Sequence, residues 1–426
     1  MAVTPPQPPK RSAEERAATR TLVVCWIANF VTALGMMSFL PFFPSHLRAL
    51  GVEEGNVALW AGICVGAAPF AAALMGPIWG ALGDRFGRKM MVLRSLLGIF
   101  VFVGLMAFAQ TPMQLLMLRI GQGIFSGFLA PSITLVTMGY PTRNMGHISG
   151  VLQSAMAAGS ILGPLFGSAL ILTLPSYYMF ATPAMLAGFA ALLVGFLATE
   201  ERLLAMASTA PKGTPIHRVV RSVLKGIGSS LVDLMNRPRM RLGLVFLFIA
   251  QFGIGATNPQ LELFVGHVEP DWAQGKVQQH TAYLFSILAG VGLFAMPVWG
   301  RYGDRNGHGK VLVISALSAG IALCVSGFAT AFWVLLVSRL LLGAFGSGLG
   351  PAAFGLAADV TGREERGAAN GAVFSARALA ISLGSIVGGV LVHFLGLRGI
   401  YIGSGCLLVI AVFAAGPRLL VRRADS

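Results

Sequence analysis

The charged turn Pro77-Ile-Trp-Gly-Ala-Leu-Gly-Asp-Arg-Phe-Gly-Arg-Lys89 returns later in the chain as Pro297-Val-Trp-Gly-Arg-Tyr-Gly-Asp-Arg-Asn-Gly-His-Gly-Lys310, each copy wedged between long apolar runs. Pro77 and Pro297, Trp79 and Trp299, Gly80 and Gly300, Asp84 and Asp304, and Gly87 and Gly307 all stand 220 positions apart. The same offset carries Arg119 onto Arg339, Gly123 onto Gly343 and Pro131 onto Pro351. At an offset of 221, Gly150, Ser154, Gly163 and Gly167 meet Gly371, Ser375, Gly384 and Gly388. A correspondence sustained over so long a stretch means that one folding unit occurs twice, head to tail.

The unit is made of membrane-crossing helices. Apolar runs of about 18 residues or more recur throughout, each long enough to cross roughly 30 Å of hydrocarbon. They are rich in Gly, Ala and Leu and lack the two-residue alternation of membrane strands. With 55% hydrophobic and 11% charged residues and a mean hydropathy of +0.76, the chain is excluded from the soluble class, where about 25% of residues are charged. Twelve spans are predicted, at 22–44, 57–81, 90–109, 113–137, 147–172 and 177–198, then 242–265, 281–300, 311–328, 332–357, 368–393 and 399–416. The expected fold is an all-α membrane protein of two pseudo-symmetric six-helix bundles, 22–198 and 242–417. They are flanked by tails 1–21 and 418–426 and joined by a linker, 199–241.

A net charge of +15 could suggest nucleic acid, but its placement argues for a membrane orientation. Of 31 Lys and Arg, 25 fall in segments assigned to one side, three on the other (Arg48, Lys276, Arg398) and three inside spans (Arg119, Arg339, Arg377). By the positive-inside pattern both termini and the linker are expected to be cytoplasmic, in a multi-pass plasma (inner) membrane protein that contacts anionic lipid and no nucleic acid. Cys25, Cys64, Cys324 and Cys406 all lie in apolar spans without metal-ligand spacing, so neither a disulfide framework nor a metal site is expected. The first apolar run is too long for a cleaved leader and lacks its small-residue cleavage pattern.

In the linker, Ile216, Val219, Val220, Val223, Leu224, Ile227, Leu231, Leu234 and Met235 recur at helical spacing beside Arg218, Arg221 and Lys225. That pattern fits an amphipathic helix on the membrane surface, and equally a linker helix packed on the bundle. Gly159, Gly163 and Gly167, echoed by Gly384 and Gly388, form smooth strips four residues apart where another helix approaches closely. Pro164 removes a helix hydrogen bond and is expected to bend the fifth span. Ser385 replaces it in the second copy, so the two halves should differ in stiffness.

Gly80-x-x-x-Asp84-Arg85-x-Gly87-Arg88-Lys89 resembles the signature loop of the major facilitator superfamily, over nearly the whole chain. Arg119-x-x-Gln122-Gly123, Gly159-x-x-x-Gly163-Pro164-x-x-Gly167 and Leu34-Gly35 followed by Pro41 and Pro44 are similar to motifs of its twelve-span drug:proton antiporter branch. The resemblance implies a gate in which Asp84 and Arg88 close the inner side, with Arg85 and the repeat's Asp304 beside it, and a part for Arg119 in proton relay. It also implies a substrate path between the halves. Mid-depth residues on its helices are Asn29, Met36, Met37, Gln122, Gln153, Met156, Gln251, Phe252, Phe285 and Phe374.

Charge placement adds its own constraints. A guanidinium in a span costs at least about 2.5–3.5 kcal/mol, so Arg119 is expected to face protein or a wet cavity. Arg377, deeper in its span, snorkels least and is the best candidate for a cavity-lining charge. Glu262 is the only acid assigned to a span, and the stretch 27–40, which carries an acid in many members of the branch, has none. Proton binding would then rest on Asp84, Glu262 or another site. Neither a phosphate-binding loop, a nucleophile elbow nor a metal-ligand cluster is present in the sequence, so no enzyme and no cofactor beyond a coupling proton is expected. The expectation is a monomeric proton-driven exporter of hydrophobic small molecules working by alternating access. The alternatives are a transporter of an organic anion or small metabolite, and, in another class, a non-transporting sensor on the same scaffold.

Overall fold

The computed structural model describes residues 13–137, 140, 145–200, 235–361 and 366–420. The start of the N-terminal tail, the amphipathic stretch of the linker, the end of the C-terminal tail and the side chains of Asp84 and Arg85 lie outside the described residues. Eleven segments are long and apolar enough to cross a membrane. In the first half these are α1 (Arg16–Ala49), α2 (Glu54–Phe86), α3 (Arg88–Met106), α4 (Pro112–Thr137), α5 (Met145–Thr173) and α6 (Tyr178–Leu197). In the second they are α7 (Pro238–Val268), α8 (Gln274–Asn306), α9 (His308–Gly327), α10 (Phe332–Val360) and the run Arg366–Leu420. Gly396, at φ +68°, breaks that last run into α11 (366–395) and α12 (397–420), which brings the crossings to the expected twelve. The sequence-based boundaries of the second and eighth spans are too short, because α2 and α8 continue as helix to the glycine of each charged turn.

Those glycines are why the turns are possible. Gly87 (φ +89°) ends α2 and opens α3, and Gly307 (φ +96°) does the same between α8 and α9. Only glycine adopts this conformation without strain, and it reverses the chain in one residue. At the opposite end of the bundle Thr111 caps α4, its hydroxyl accepting from Gln114 N–H at 3.2 Å, with Pro112 at the first helical position.

Each half is held by the same close approach. Gly159, Gly163 and Gly167 press α5 onto the α1 backbone: a Cβ at Gly159 would stand 2.7 Å from Phe30 O, and one at Gly163 2.8 Å from Leu34 O. In the repeat, Gly384 and Gly388 of α11 meet Phe252 O and Ala256 O of α7. The strips are thus packing seams inside each bundle. α5 continues through Pro164 as one helix.

The two halves meet along α2 and α11, and along α5 and α8. A Cβ on Gly62 of α2 would run into Ser385 O of α11 and lie 2.9 Å from Gly389 Cα, and Ser382 Oγ donates to Gly66 O at 2.8 Å. Ser286 of α8 donates to Ile161 O of α5 at 2.7 Å. The buried cluster around Phe39, Phe43 and Phe180 in the first half also takes in Ala282 of the second. Among the described residues, all these junctions lie in the half of the bundle away from the chain termini. Among the described residues, the contacts that close the seam gather at that far end.

Candidate functional site

The closed end is tied by polar groups. Glu262 of α7 is 1% exposed, and its carboxylate accepts from Ser45 N–H of α1 at 3.2 Å, from the Ser45 hydroxyl, and from Gln274 Nε2 of α8 at 2.9 Å. Ser45 Oγ in turn accepts from Gln274 Nε2 at 3.0 Å and Gln278 Nε2 at 2.8 Å. Gln260 Nε2 reaches Ala58 O of α2 at 3.0 Å. Hydrogen bonds to a charged group contribute about 1.5–3 kcal/mol each when intact, so this knot is a latch across the seam. It borders a cavity of about 540 Å³ that opens on the far face and is lined by Arg48, Glu54, His267, Trp272 and His393 as well as Glu262. Ser45, Gln274 and Gln278 carry no distinguishing pattern in the sequence, and only chain closure reveals them.

The two buried arginines are held differently. Arg119, 1% exposed, donates to Cys64 O at 2.9 Å, to Val65 O at 3.2 Å and to Gln122 Oε1 at 2.5 Å, with Phe39 and Phe43 over its faces. The Val65 carbonyl is available because the residue four on is Pro69, which has no N–H to return. Arg119 therefore faces protein and ties α4 to α2. Its repeat partner Arg339 instead donates to Asn258 Oδ1 at 3.1 Å, beside Tyr401.

At the end bearing the termini, Trp79 and Trp299 have a part that the repeat signalled without explaining. α4 is broken at 126–128, and α10 passes through a π-helical turn, Leu342–Gly346, at the corresponding place. Trp79 Nε1 donates to Ile124 O and Trp299 Nε1 to Ala344 O, both at 2.6 Å. Each indole satisfies a carbonyl at the site where α4 or α10 departs from regular α-helical geometry. In the first half Arg94 adds to this, stacked 3.7 Å over the Trp79 ring and donating to Ser126 O at 3.0 Å. Replacing either tryptophan by phenylalanine should cost about 1 kcal/mol. The double variant should lose about the sum, because the two sites share no partner. Thermal unfolding in detergent reads this directly.

The charged turn of the first half is clamped to α6. The Glu200 carboxylate accepts from Arg88 N–H at 2.5 Å and Lys89 N–H at 3.1 Å at the start of α3. Lys89 Nζ donates to Gly195 O and Ala198 O, both at 2.8 Å, at the end of α6. Each charge sits where the helix dipole favours it. In the second half His308 replaces Arg88, with Nδ1 2.8 Å from Asp359 and Nε2 3.3 Å from Asp304.

The expected path-lining residues divide into three sets. Asn29 is fully buried, donating to Cys25 O at 2.6 Å and Ser132 Oγ at 2.7 Å. Gln122 is spent on Arg119 and on Met36 Sδ at 2.8 Å, and Gln251 is buried as well. These three polar side chains are turned into the protein here, which departs from the expectation that they line a path. Met37, Met156, Phe252 and Phe285 are half-buried, Met37 against Gly163. Gln153, Phe374 and Arg377 are exposed. Phe374 and Arg377 share the α11 face of Ile381, Gly384 and Gly388, opposite the outer strip of Leu383, Val390 and Phe394. Phe374 also falls in line with Ser385, which meets α2 of the other half, so its exposure is toward the gap between the halves, with Arg377 one turn further along beside Gly350 of α10.

Two like-oriented bundles of six helices around a seam that closes at one end define a transporter scaffold rather than an enzyme. The chain belongs to the Major Facilitator Superfamily, whose model matches residues 25–291 and 277–425. It is 28% identical over 409 residues to the multidrug resistance protein MdtG of Escherichia fergusonii, covering 95% of each chain. It is 29% identical over 332 residues to the staphyloferrin B transporter of Staphylococcus aureus, covering 75% of this chain and 74% of the relative. Among solved structures, a variant of the nucleoside transporter NupG superposes with a TM-score of 0.79 at 15% identity, covering 94% of this chain and all of that one.

Proposed function

We propose that this protein is a secondary active exporter of hydrophobic small molecules, driven by proton antiport across the plasma (inner) membrane, with both termini cytoplasmic. The observation that carries the reading is the seam: among the described residues its contacts gather at the far end around the Glu262 knot, while Phe374 and Gln153 are exposed nearer the termini. With the basic segments inside, that is a state poised to load from the cytoplasm. The likeness to a multidrug resistance protein over 95% of the chain supports a drug-like substrate. Exposed Phe374 and half-buried Met156 and Phe252 are apolar side chains of the kind that repacks around varied shapes. Glu262 is the coupling candidate, being a protonatable group that joins the halves and borders a cavity on the far face.

Inside-out vesicles test this. With an imposed gradient, acid inside, a hydrophobic fluorescent dye is expected to accumulate, its addition should release protons from the lumen, and a protonophore should abolish both. Undiminished accumulation in the presence of the protonophore would overturn proton coupling. No dye movement in any condition would overturn export.

A further inference from the structure

Among the described residues, Arg377 is a cation without an anion. It lies eleven residues into α11, roughly 17 Å from the start of the helix at 1.5 Å per residue, and no hydrogen bond or ion pair reaches it among the described residues. A Cβ on Gly350 would stand 3.9 Å from its Nη1, which places the guanidinium beside the α10 segment that follows the π-helical turn. Ser347 Oγ, at that same turn, is buried without a partner. None of the described Asp and Glu residues is at this depth. They sit toward the helix ends, among them Glu54 on Arg48, Glu262 on Ser45, Glu269 on the start of α10, Glu200 on the start of α3, and Asp304 and Asp359 on His308. At the repeat-related position the first half has Met156, so the charge is not a scaffold requirement of the fold. A guanidinium kept at mid-depth is costly unless something meets it.

We propose that the gap holds an anion subsite centred on Arg377, which takes the carboxylate of an amphiphilic organic acid while Phe374, one turn away, meets its apolar part. This rests on the reading of the gap as the transport path and narrows its substrate class to molecules carrying an acidic group. The guanidinium presents a planar fork that matches a carboxylate, whereas a cationic drug would be repelled there.

The test compares pyrenebutyrate with its amide on the purified full chain in nanodiscs, by fluorescence anisotropy. The wild type is expected to bind the acid about ten- to hundredfold more tightly than the amide. R377Q should erase that preference and R377K should retain part of it, each variant first shown monodisperse by size exclusion. Equal wild-type affinity for acid and amide, or a preference unchanged in R377Q, overturns the subsite. So does a preference seen in neutral lipid that vanishes when anionic lipid is added, because the guanidinium would then belong to a headgroup. Uptake of pyrenebutyrate itself into vesicles by the wild type is scored separately. Its absence would count against the exporter reading and leave the binding comparison to judge the subsite.

Discussion

Gly62→Leu is expected to abolish transport while leaving the protein in the membrane at near wild-type abundance. The Gly62 position faces the Ser385 carbonyl and the Gly389 backbone, atoms of the opposite half. A leucine there has no rotamer to escape into, since the first added carbon already meets main chain. Each half keeps its own buried clusters, so the two bundles still fold. What fails is closure. Overpacking of this kind costs about 1–3 kcal/mol or more, enough to shift a two-state equilibrium roughly ten- to hundredfold toward a far-end-open form. In a background without the four native cysteines, Ala58→Cys on the same helix is buried at 5% exposure. Its labelling by a membrane-impermeant maleimide from the far face should rise at least about tenfold with Gly62→Leu. Gly76→Leu, where an added Cβ meets nothing within 4 Å, is the matched control and should leave labelling and transport alone. Normal transport with unchanged labelling in Gly62→Leu would mean that the α2–α11 contact is not what closes the seam.

How far the fold could be read in advance follows from what each feature depends on. The duplication was legible because its marks are local: Gly87 and Gly307 must reverse the chain at positive φ, and the small strips must let backbones touch, whichever partner they meet. A charge in a span was also legible as buried, since lipid excludes it, and Arg119 is indeed turned into protein. Its partners were not, although Pro69 left one trace by freeing the Val65 carbonyl. Asn29 shows the limit from the other side. A polar residue at mid-depth satisfies the same pattern whether it faces a path or a neighbour, and here Ser132 of α4 claims it. Ser45 and Glu262 lie 217 positions apart and meet only when two separately folded bodies close, so no spacing rule within one helix could pair them.

Replacing Glu262 by glutamine is expected to uncouple export from protons. An ionised carboxylate only accepts, and here it accepts at once from the Ser45 amide, the Ser45 hydroxyl and Gln274. Adding a proton removes the charge that strengthens these bonds and puts a donor where donors already point, so the latch weakens and the far end opens. At a contribution of about 1.5–3 kcal/mol per charge-assisted bond, losing one shifts the closed-to-open ratio about ten- to hundredfold. In the wild type, labelling of Ala58→Cys should therefore quicken as the far-side medium is acidified. In Glu262→Gln, which is neutral at every pH, labelling should be fast throughout and flat with pH, and substrate addition should release no protons. Other charges face the same cavity: Arg48 and Glu54 paired with each other, and the rings of His267 and His393. His267→Gln and His393→Gln, made singly and together, should preserve the wild-type pH response if the carboxylate is its source. A response that survives Glu262→Gln but disappears with the two histidines would move the proton to the rings and leave Glu262 as a structural tie alone.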